Sequence, residues 1–396
     1  MVARILMLTL PPQVLGGVAA KAEILAASLR DCGHQVTVAF YGTRTHDRDL
    51  CTFSARPKTR IGECFGGLRA VTVGCRAPAL EYTYTADSPL WRDLVAGHDR
   101  HIAVGGSVLI ANPLAAARVP HLVWCAGDLE DDRRPRHDAM TPVRRLFDST
   151  FIEPKLRAQE IRVLNGPGRI YTVSRHSAER LNGLVADWEH PVEVISIPTD
   201  VEFFKPADRP PVSGRIGFAG RLADPRKNPA LLFAALAEVR KRRGDVTLAV
   251  TGEATPALHR MTTEAGVADA VEFVGILERP ELRRFYQSLD GLVIPSLREG
   301  FAIVGTEAMA CGVPVVSTRC GGPLDYLDHR VNGLLCGFEP ADVADAILEI
   351  VNDRALRDNM ANAARERIVR DFGSANFRRS VSEAWHAVWG EDVGLR

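Results

Sequence analysis

Strand-like and helix-like segments alternate along this chain, stop at a proline-rich stretch, and then begin again. That restart constrains the fold more than any other feature, because alternation of this kind builds parallel sheets with crossover helices. Arg4 to Leu10 reads as a first strand, Pro11 to Gly17 as a loop, and Val18 to Asp31 as a helix with apolar residues at helical spacing. Cys32-Gly33-His34 closes that helix before a strand from Gln35 to Phe40. Ile102 to Val104, Leu122 to Trp124 and Ile170 to Val173 read as further strands of the same sheet. The stretch from Phe203 through Pro206 to Pro210-Pro211 interrupts the pattern and reads as a linker. The alternation then resumes with strands at Arg215–Phe218, Val246–Val250, Val271–Val274 and Gly291–Ile294, and helices at Asn228–Arg242 and Glu278–Ser288. At 396 residues the chain also exceeds what one core can organise. The expected fold class is therefore α/β, with two Rossmann-like domains over 1–203 and 204–372. A C-terminal helix within 373–396 is expected to pack back toward the first.

Composition bounds the function. An apolar share of 46% and a charged share of 25% are ordinary for a globular protein. With 49 basic and 49 acidic residues, nothing draws the whole molecule to nucleic acid or to anionic lipid. Eight scattered cysteines lack ligand or disulfide spacing, so neither zinc nor a disulfide framework is expected, and reduced thiols fit a cytoplasmic protein. The apolar start, Met1 to Leu10, is too short to span a membrane and has no signal-peptide cleavage site.

The chemistry concentrates between Pro295 and Gly322. A buried strand ends at Pro295-Ser296, Glu299-Gly300-Phe301 follows in a loop, and Thr306 to Ala310 reads as a helix closed by Cys311-Gly312. Glu299 thus falls in the crevice beyond the strand ends where open α/β sheets bind ligands, and Glu307 falls in the first turn or two of the helix. A carboxylate there can accept two hydrogen bonds from a vicinal diol such as a ribose. The alternative is a helix cap and a solvated acid favoured by the helix dipole. A second constellation opens the second domain: Gly220 and Arg221 after a strand, then Lys227 ahead of Asn228 as N-cap and Pro229 as first helical residue. A helix N-terminus with an Arg and a Lys beside it suits a phosphate, or else forms a solvated basic turn. Gly16-Gly17 lets backbone N–H groups approach an anion in the first domain, but as a dinucleotide fingerprint it is incomplete. Asp47-Arg48-Asp49 matches a metal-binding DxD literally; with no strand before it, it reads as a solvated loop.

Together these motifs resemble the GT-B glycosyltransferases, specifically the retaining family numbered 4 among sugar transferases (glycosyl transferases group 1). The resemblance covers most of the chain and is strongest from Ile195 to Gly333. Ile197-Pro198-Thr199-Asp200-Val201 is similar to the family's segment before the linker, with Thr199 where asparagine-glycine is usual. The resemblance implies two domains facing each other across a cleft that holds a nucleotide sugar. It would put Arg221 and Lys227 on the diphosphate, Glu307 on the ribose, and Glu299 on the sugar hydroxyls. Backbone of Gly220, Gly300, Phe301 and Ala302 would line the donor, Gly275 and Ile276 would meet the base, and Gly16 and Gly17 would close over the phosphate. It implies transfer with retention, the departing phosphate taking the acceptor's proton, and no metal or other cofactor.

One departure stands out. Where many relatives carry a histidine after the strand Leu122–Trp124, this chain reads Cys125-Ala126-Gly127-Asp128. Either Asp128 takes a catalytic place there or the role is absent. Gly106 and Ser107, after another strand, are candidates for the acceptor side, whereas His121 and the turn Ser174–Ser177 read as structural. Eight basic residues between Arg133 and Arg162 alternate with Leu146, Phe147, Phe151 and Ile152, a face that would suit an anionic membrane. Interspersed Asp132, Asp138, Asp148, Glu153 and Glu160 favour a solvated helix face instead. The partners expected are a nucleotide-sugar donor and a carbohydrate, lipid-linked or small-molecule acceptor, with peripheral contact at the inner membrane face as an option and no nucleic acid. An epimerase or phosphorylase-like enzyme of the same fold, or a non-catalytic relative, is the alternative.

Overall fold

The computed structural model describes residues 2–11, 17–43, 45–52, 56–138, 140–185 and 190–395. It contains two compact units: Met1–Ser196 together with Arg378–Arg396, and Ile197–Phe377. The boundary falls ahead of the proline-rich stretch because residues 197–204 are fastened into the second unit. The Thr199 hydroxyl donates to Thr306 Oγ1 at 2.8 Å, and the Arg365 guanidinium donates to the carbonyls of Val201, Phe204 and Ala310. Thr199, unusual at its position, is thereby satisfied by a buried partner.

The first unit holds strands β1 (Arg4–Thr9), β2 (Gln35–Tyr41), β3 (Thr59–Cys64), β4 (Leu68–Val73), β5 (Arg100–Gly105), β6 (His121–Cys125), β7 (Gly168–Thr172) and β8 (Glu193–Val194). They form one sheet in the order 3-4-2-1-5-6-7-8, parallel except where β3 turns back against β4. The hairpin of β3 and β4 is not foreseen from sequence, because β3 is exposed and lacks apolar alternation. The helix Gly17–Asp31 buries Ala22, Leu25, Ala26 and Leu29 at helical spacing against the sheet. At the far end of the chain, the helix Ser374–Trp389 sets Trp385 on the His34 ring at 5.4 Å, and His34 Nε2 meets the Val393 carbonyl.

The second unit holds β9 (Arg215–Phe218), β10 (Thr247–Thr251), β11 (Val271–Gly275), β12 (Gly291–Ile294), β13 (Val315–Thr318) and β14 (Gly333–Cys336), all parallel in the order 11-10-9-12-13-14. This is the doubly wound order, with its direction of growth reversing between β9 and β12. The helices Pro229–Arg242 and Pro340–Asn352 contribute Leu232, Leu236, Val239, Val343, Ile347 and Ile350 to the main core. Truncating such a buried leucine to alanine costs about 2–5 kcal/mol.

Candidate functional site

The reversal between β9 and β12 decides where the chemistry lies. In an open doubly wound sheet, ligands bind outside the carboxyl ends of the strands at that point. β9 ends in Phe218 and runs into Gly220, Arg221 and Lys227, while β12 ends in Ile294 and runs into Ser296 and Glu299. The two loops meet. Lys227 Nζ donates to Glu299 Oε1 at 2.6 Å, the Ser296 hydroxyl donates to the same oxygen at 2.6 Å, and the Leu297 amide donates to the Arg226 carbonyl at 2.8 Å. Glu299 Oε2 takes no hydrogen bond among the described residues.

Local sequence explains each placement. Asn228 adopts the left-handed conformation its side chain tolerates and accepts from the Leu231 amide, capping Pro229–Arg242 as its sequence signature implies. Lys227 therefore stands just outside that helix. Gly220, at φ +126°, turns the chain after β9 as only glycine does readily, and its amide donates to the Thr251 hydroxyl. Arg221 is exposed and has no ion-pair partner among the described residues.

Glu299 does not cap a helix: the helix is Ile303–Ala310, and its N-cap is Ala302 in a left-handed conformation at φ 62°. That conformation costs about 1–2 kcal/mol for a residue with a side chain. It is held by Tyr326, whose hydroxyl donates to the Ala302 carbonyl at 3.1 Å, and by the buried Phe301 ring against Tyr326 and Phe372. Gly322 completes the turn, since a Cβ there would lie 2.4 Å from Phe301 Cα. The amides of Gly300, Phe301 and Ala302 have no acceptor among the described residues. Three such donors at a helix start, beside Lys227, make an anion-receptive corner.

Glu307 lies in the second turn of that helix, deeper than a helix beginning at Thr306 would put it. It is half-buried, and the Tyr286 hydroxyl donates to its Oε2 at 2.9 Å. Burial pushes its pKa up to about 7, against the hydrogen bond from Tyr286 and the field of Arg279. Tyr286 and Ser296 are the positioning residues that sequence reasoning missed. Tyr286 falls at the end of a helix, Arg279–Gln287, with nothing in its spacing to mark it. Gly275 ends β11 and Ile276 follows it, exposed.

The first unit treats its candidates differently. Gly106 and the buried Ser107 follow β5 at that sheet's own reversal, between β1 and β5, and Gly106 accepts from the amides of Ala126 and Gly127. Asp128 is buried, and Arg180 Nε donates to it at 2.7 Å. Gly17 opens its helix, while Gly16 lies outside the described residues. His121 is buried with Nδ1 on the Val119 carbonyl and its pKa pushed down to about 4 by burial, which suits a structural residue. Ser174 caps the following helix through the Ser177 amide. Asp47 is not solvated as expected: it is buried, accepting from the Thr43 amide and from Arg60, which also takes Asp49. Among the described residues, His137, Asp148 and Glu153 bring ligand atoms within 4.8 Å of one another. Both oxygens of Asp148 already accept from Arg133 at 2.8 Å, and that guanidinium opposes a cation there. No described helix is long and apolar enough to cross a membrane.

Residues 202–367 match the family model of the glycosyl transferases group 1. Over 253 residues, the chain is 34% identical to a D-inositol 3-phosphate glycosyltransferase of an Arthrobacter species, covering 59% of each. The chain thus spans about three fifths of the length of that curated relative. In structure it is similar to the sucrose-phosphate synthase of Thermosynechococcus elongatus, with a TM-score of 0.73 and 19% identity over 98% of this chain and 100% of the other. It is also similar to an Anabaena protein, HepE, solved with UDP-glucose, with a TM-score of 0.71 and 19% identity over 97% and 100%. The fold is that of the GT-B glycosyltransferases.

Proposed function

With the second unit a glycosyl transferases group 1 domain, we propose that this chain is a retaining glycosyltransferase. It moves a sugar from a nucleoside-diphosphate donor to an acceptor hydroxyl without a metal. The observation that carries this reading is the 2.6 Å pairing of Lys227 with Glu299 at the strand reversal, beside three amides without an acceptor among the described residues.

As the bond from the anomeric carbon to the phosphate oxygen breaks, negative charge grows on the diphosphate. Lys227, held by Glu299, and the amides of Gly300 to Ala302 are fixed donors for that charge, which need no reorganisation as the bond breaks, and Arg221 adds a second cation. The two side-chain cations do the work a divalent ion does elsewhere. Glu299 holds Lys227 through Oε1 and offers Oε2 to a sugar hydroxyl. Ionised Glu307, aligned by Tyr286, accepts from the two ribose hydroxyls. Backbone at Gly275 and Ile276 meets the base, and Gly220 lets the chain approach the phosphate. The acceptor oxygen attacks the face the phosphate leaves, and its proton passes to the departing phosphate oxygen, so configuration is kept. Gly106 and Ser107 are the proposed acceptor-side residues. Asp128 orders the loop after β6 through Arg180 rather than moving a proton.

Uridine donors are proposed first, because HepE has been solved with UDP-glucose. Inositol 3-phosphate joins sugars and lipid-linked sugars as a trial acceptor, from the name of the Arthrobacter relative. Donor hydrolysis and transfer are measured over a panel of nucleotide sugars with and without EDTA, and the product anomer is read by NMR. Retention unaffected by EDTA is expected; an inverted product or loss of turnover in EDTA overturns the mechanism.

A further inference from the structure

The segment Pro142–Ile152 of the first unit is a knob with its apolar side chains outward. It runs as a helix, Pro142–Phe147, and one wide turn, Asp148–Ile152, before the helix Glu153–Leu164. Val143 is 81% exposed, Leu146 70%, Phe151 56% and Phe147 38%, four large apolar side chains within nine residues. Spacings of three and four put them on one side of a helical segment. The Phe147 and Phe151 rings lie 5.3 Å apart, and the Arg144 guanidinium sits 5.6 Å over Phe147.

What lies beneath keeps the knob in shape. Ile152 and Leu156 are buried against Leu129, Leu80, Tyr82 and Leu109, and the buried Asp148 takes both its hydrogen bonds from Arg133. Two of the acids that dilute this stretch in the sequence, Asp148 and Glu160, are thus withdrawn from its surface. Asp148 is the only acid between 141 and 152, and it is buried; Glu160 is buried too, accepting from Arg157 and the Leu129 amide. Exposed Arg144 and Arg145 remain beside the apolar row, with exposed Lys155 one turn further on. Between 141 and 152 the exposed charged side chains are thus the two arginines, and the exposed apolar side chains follow one another at helical spacing. A neutral molecule overall shows here the two components of interfacial binding, apolar insertion and attraction to anionic headgroups.

We propose that this knob docks on an anionic lipid bilayer, with Val143, Leu146, Phe147 and Phe151 entering the headgroup boundary and Arg144 and Arg145 at the phosphates. It rests on this surface alone and stands apart from the catalytic reading. The full chain is sedimented with vesicles of phosphatidylcholine, with and without phosphatidylglycerol. Binding is expected only to the anionic vesicles and is expected to weaken with salt. Arg144→Ala with Arg145→Ala lowers the partition coefficient about 25-fold, from roughly fivefold per basic residue. Leu146→Ser with Phe151→Ser lowers it at least about tenfold. A Phe151→Trp variant shifts its emission to the blue on anionic vesicles alone. Unchanged thermal unfolding of each variant confirms that the fold is intact. Equal binding to both vesicle types, binding indifferent to the apolar pair, or self-association of the free protein that this pair abolishes would each overturn the proposal. The last would make the knob an interface between copies.

Discussion

Each unit has a sheet whose strand order reverses once, yet the two reversals are furnished differently. In the second unit, charged side chains from two loops converge: Lys227 meets Glu299, with Ser296 on the same oxygen, and amides nearby have no acceptor among the described residues. In the first, backbone carbonyls and a small hydroxyl lie beyond β5, and the acid that follows β6 first in sequence, Asp128, is already committed to Arg180. The same topology thus serves two ends. Among the described residues, one crevice keeps donors and a carboxylate oxygen open for a ligand, and the other presents backbone carbonyls and small side chains.

Substitutions can break that contrast. The largest effect is expected from Lys227→Ala: about a thousandfold loss of turnover, by analogy with removal of one fixed donor to developing charge, with circular dichroism unchanged. Full activity in this variant would remove the second unit's site from the comparison. Gly322→Ala comes next. A Cβ 2.4 Å from Phe301 Cα and 2.5 Å from the Gly300 carbonyl forces the loop to move, so turnover should fall together with about 1–3 kcal/mol of stability in urea titration.

Glu307 sharpens the contrast through pH. Its carboxyl titrates near 7, and only the ionised form accepts from both ribose hydroxyls. Nucleotide affinity should therefore fall about tenfold from pH 8 to pH 6 in calorimetric titrations, and Glu307→Gln should bind weakly with no such slope. A flat profile for the unmodified protein would detach Glu307 from the nucleotide.

The first unit should respond in stability rather than in chemistry. Asp128→Asn leaves Arg180 without its buried counter-charge; since Arg180 is partly exposed, about 1–2 kcal/mol is expected, with turnover changed less than tenfold. A thousandfold loss would instead make Asp128 catalytic. The smallest effect belongs to Lys21, buried with its ammonium on the Trp124 carbonyl and its pKa pushed down to about 7 by desolvation. Above about pH 7, the unfolded chain keeps a proton here that the folded chain has lost. Stability should therefore rise from pH 7 to 8.5, and Lys21→Met should flatten that rise in denaturant titrations.

Much of the second unit was legible. Arg215–Phe218 and Gly291–Ile294 are strands to the residue, and Asn228 and Pro229 occupy the cap and first helical position read for them. These are local facts: apolar runs and capping chemistry act within a few residues. The start of the helix before Glu307 was not legible. Ala302 in a left-handed conformation has no sequence mark, being held by Tyr326 from 24 residues away. Tyr286 was invisible for the same reason, as it acts through Glu307, brought to it by packing from 21 residues away, whereas Ser296 meets Glu299 only three residues on, through the local course of the loop. In the basic stretch from Arg133 to Arg162, sequence counts acids without knowing that Asp148 and Glu160 are buried.

By itself, then, the sequence determined the α/β alternation, the restart that makes two units, and the residue types at the second unit's reversal. Those follow from periodicity and from glycine, proline and capping residues, whose preferences are set by their own backbone chemistry. Tertiary structure alone decided that Lys227 and Glu299, 72 residues apart, share a hydrogen bond, and that Asp128 and Asp148 are occupied by arginines. A charge's role depends on its partner and its distance from water, and both are fixed only when the strands have taken their order.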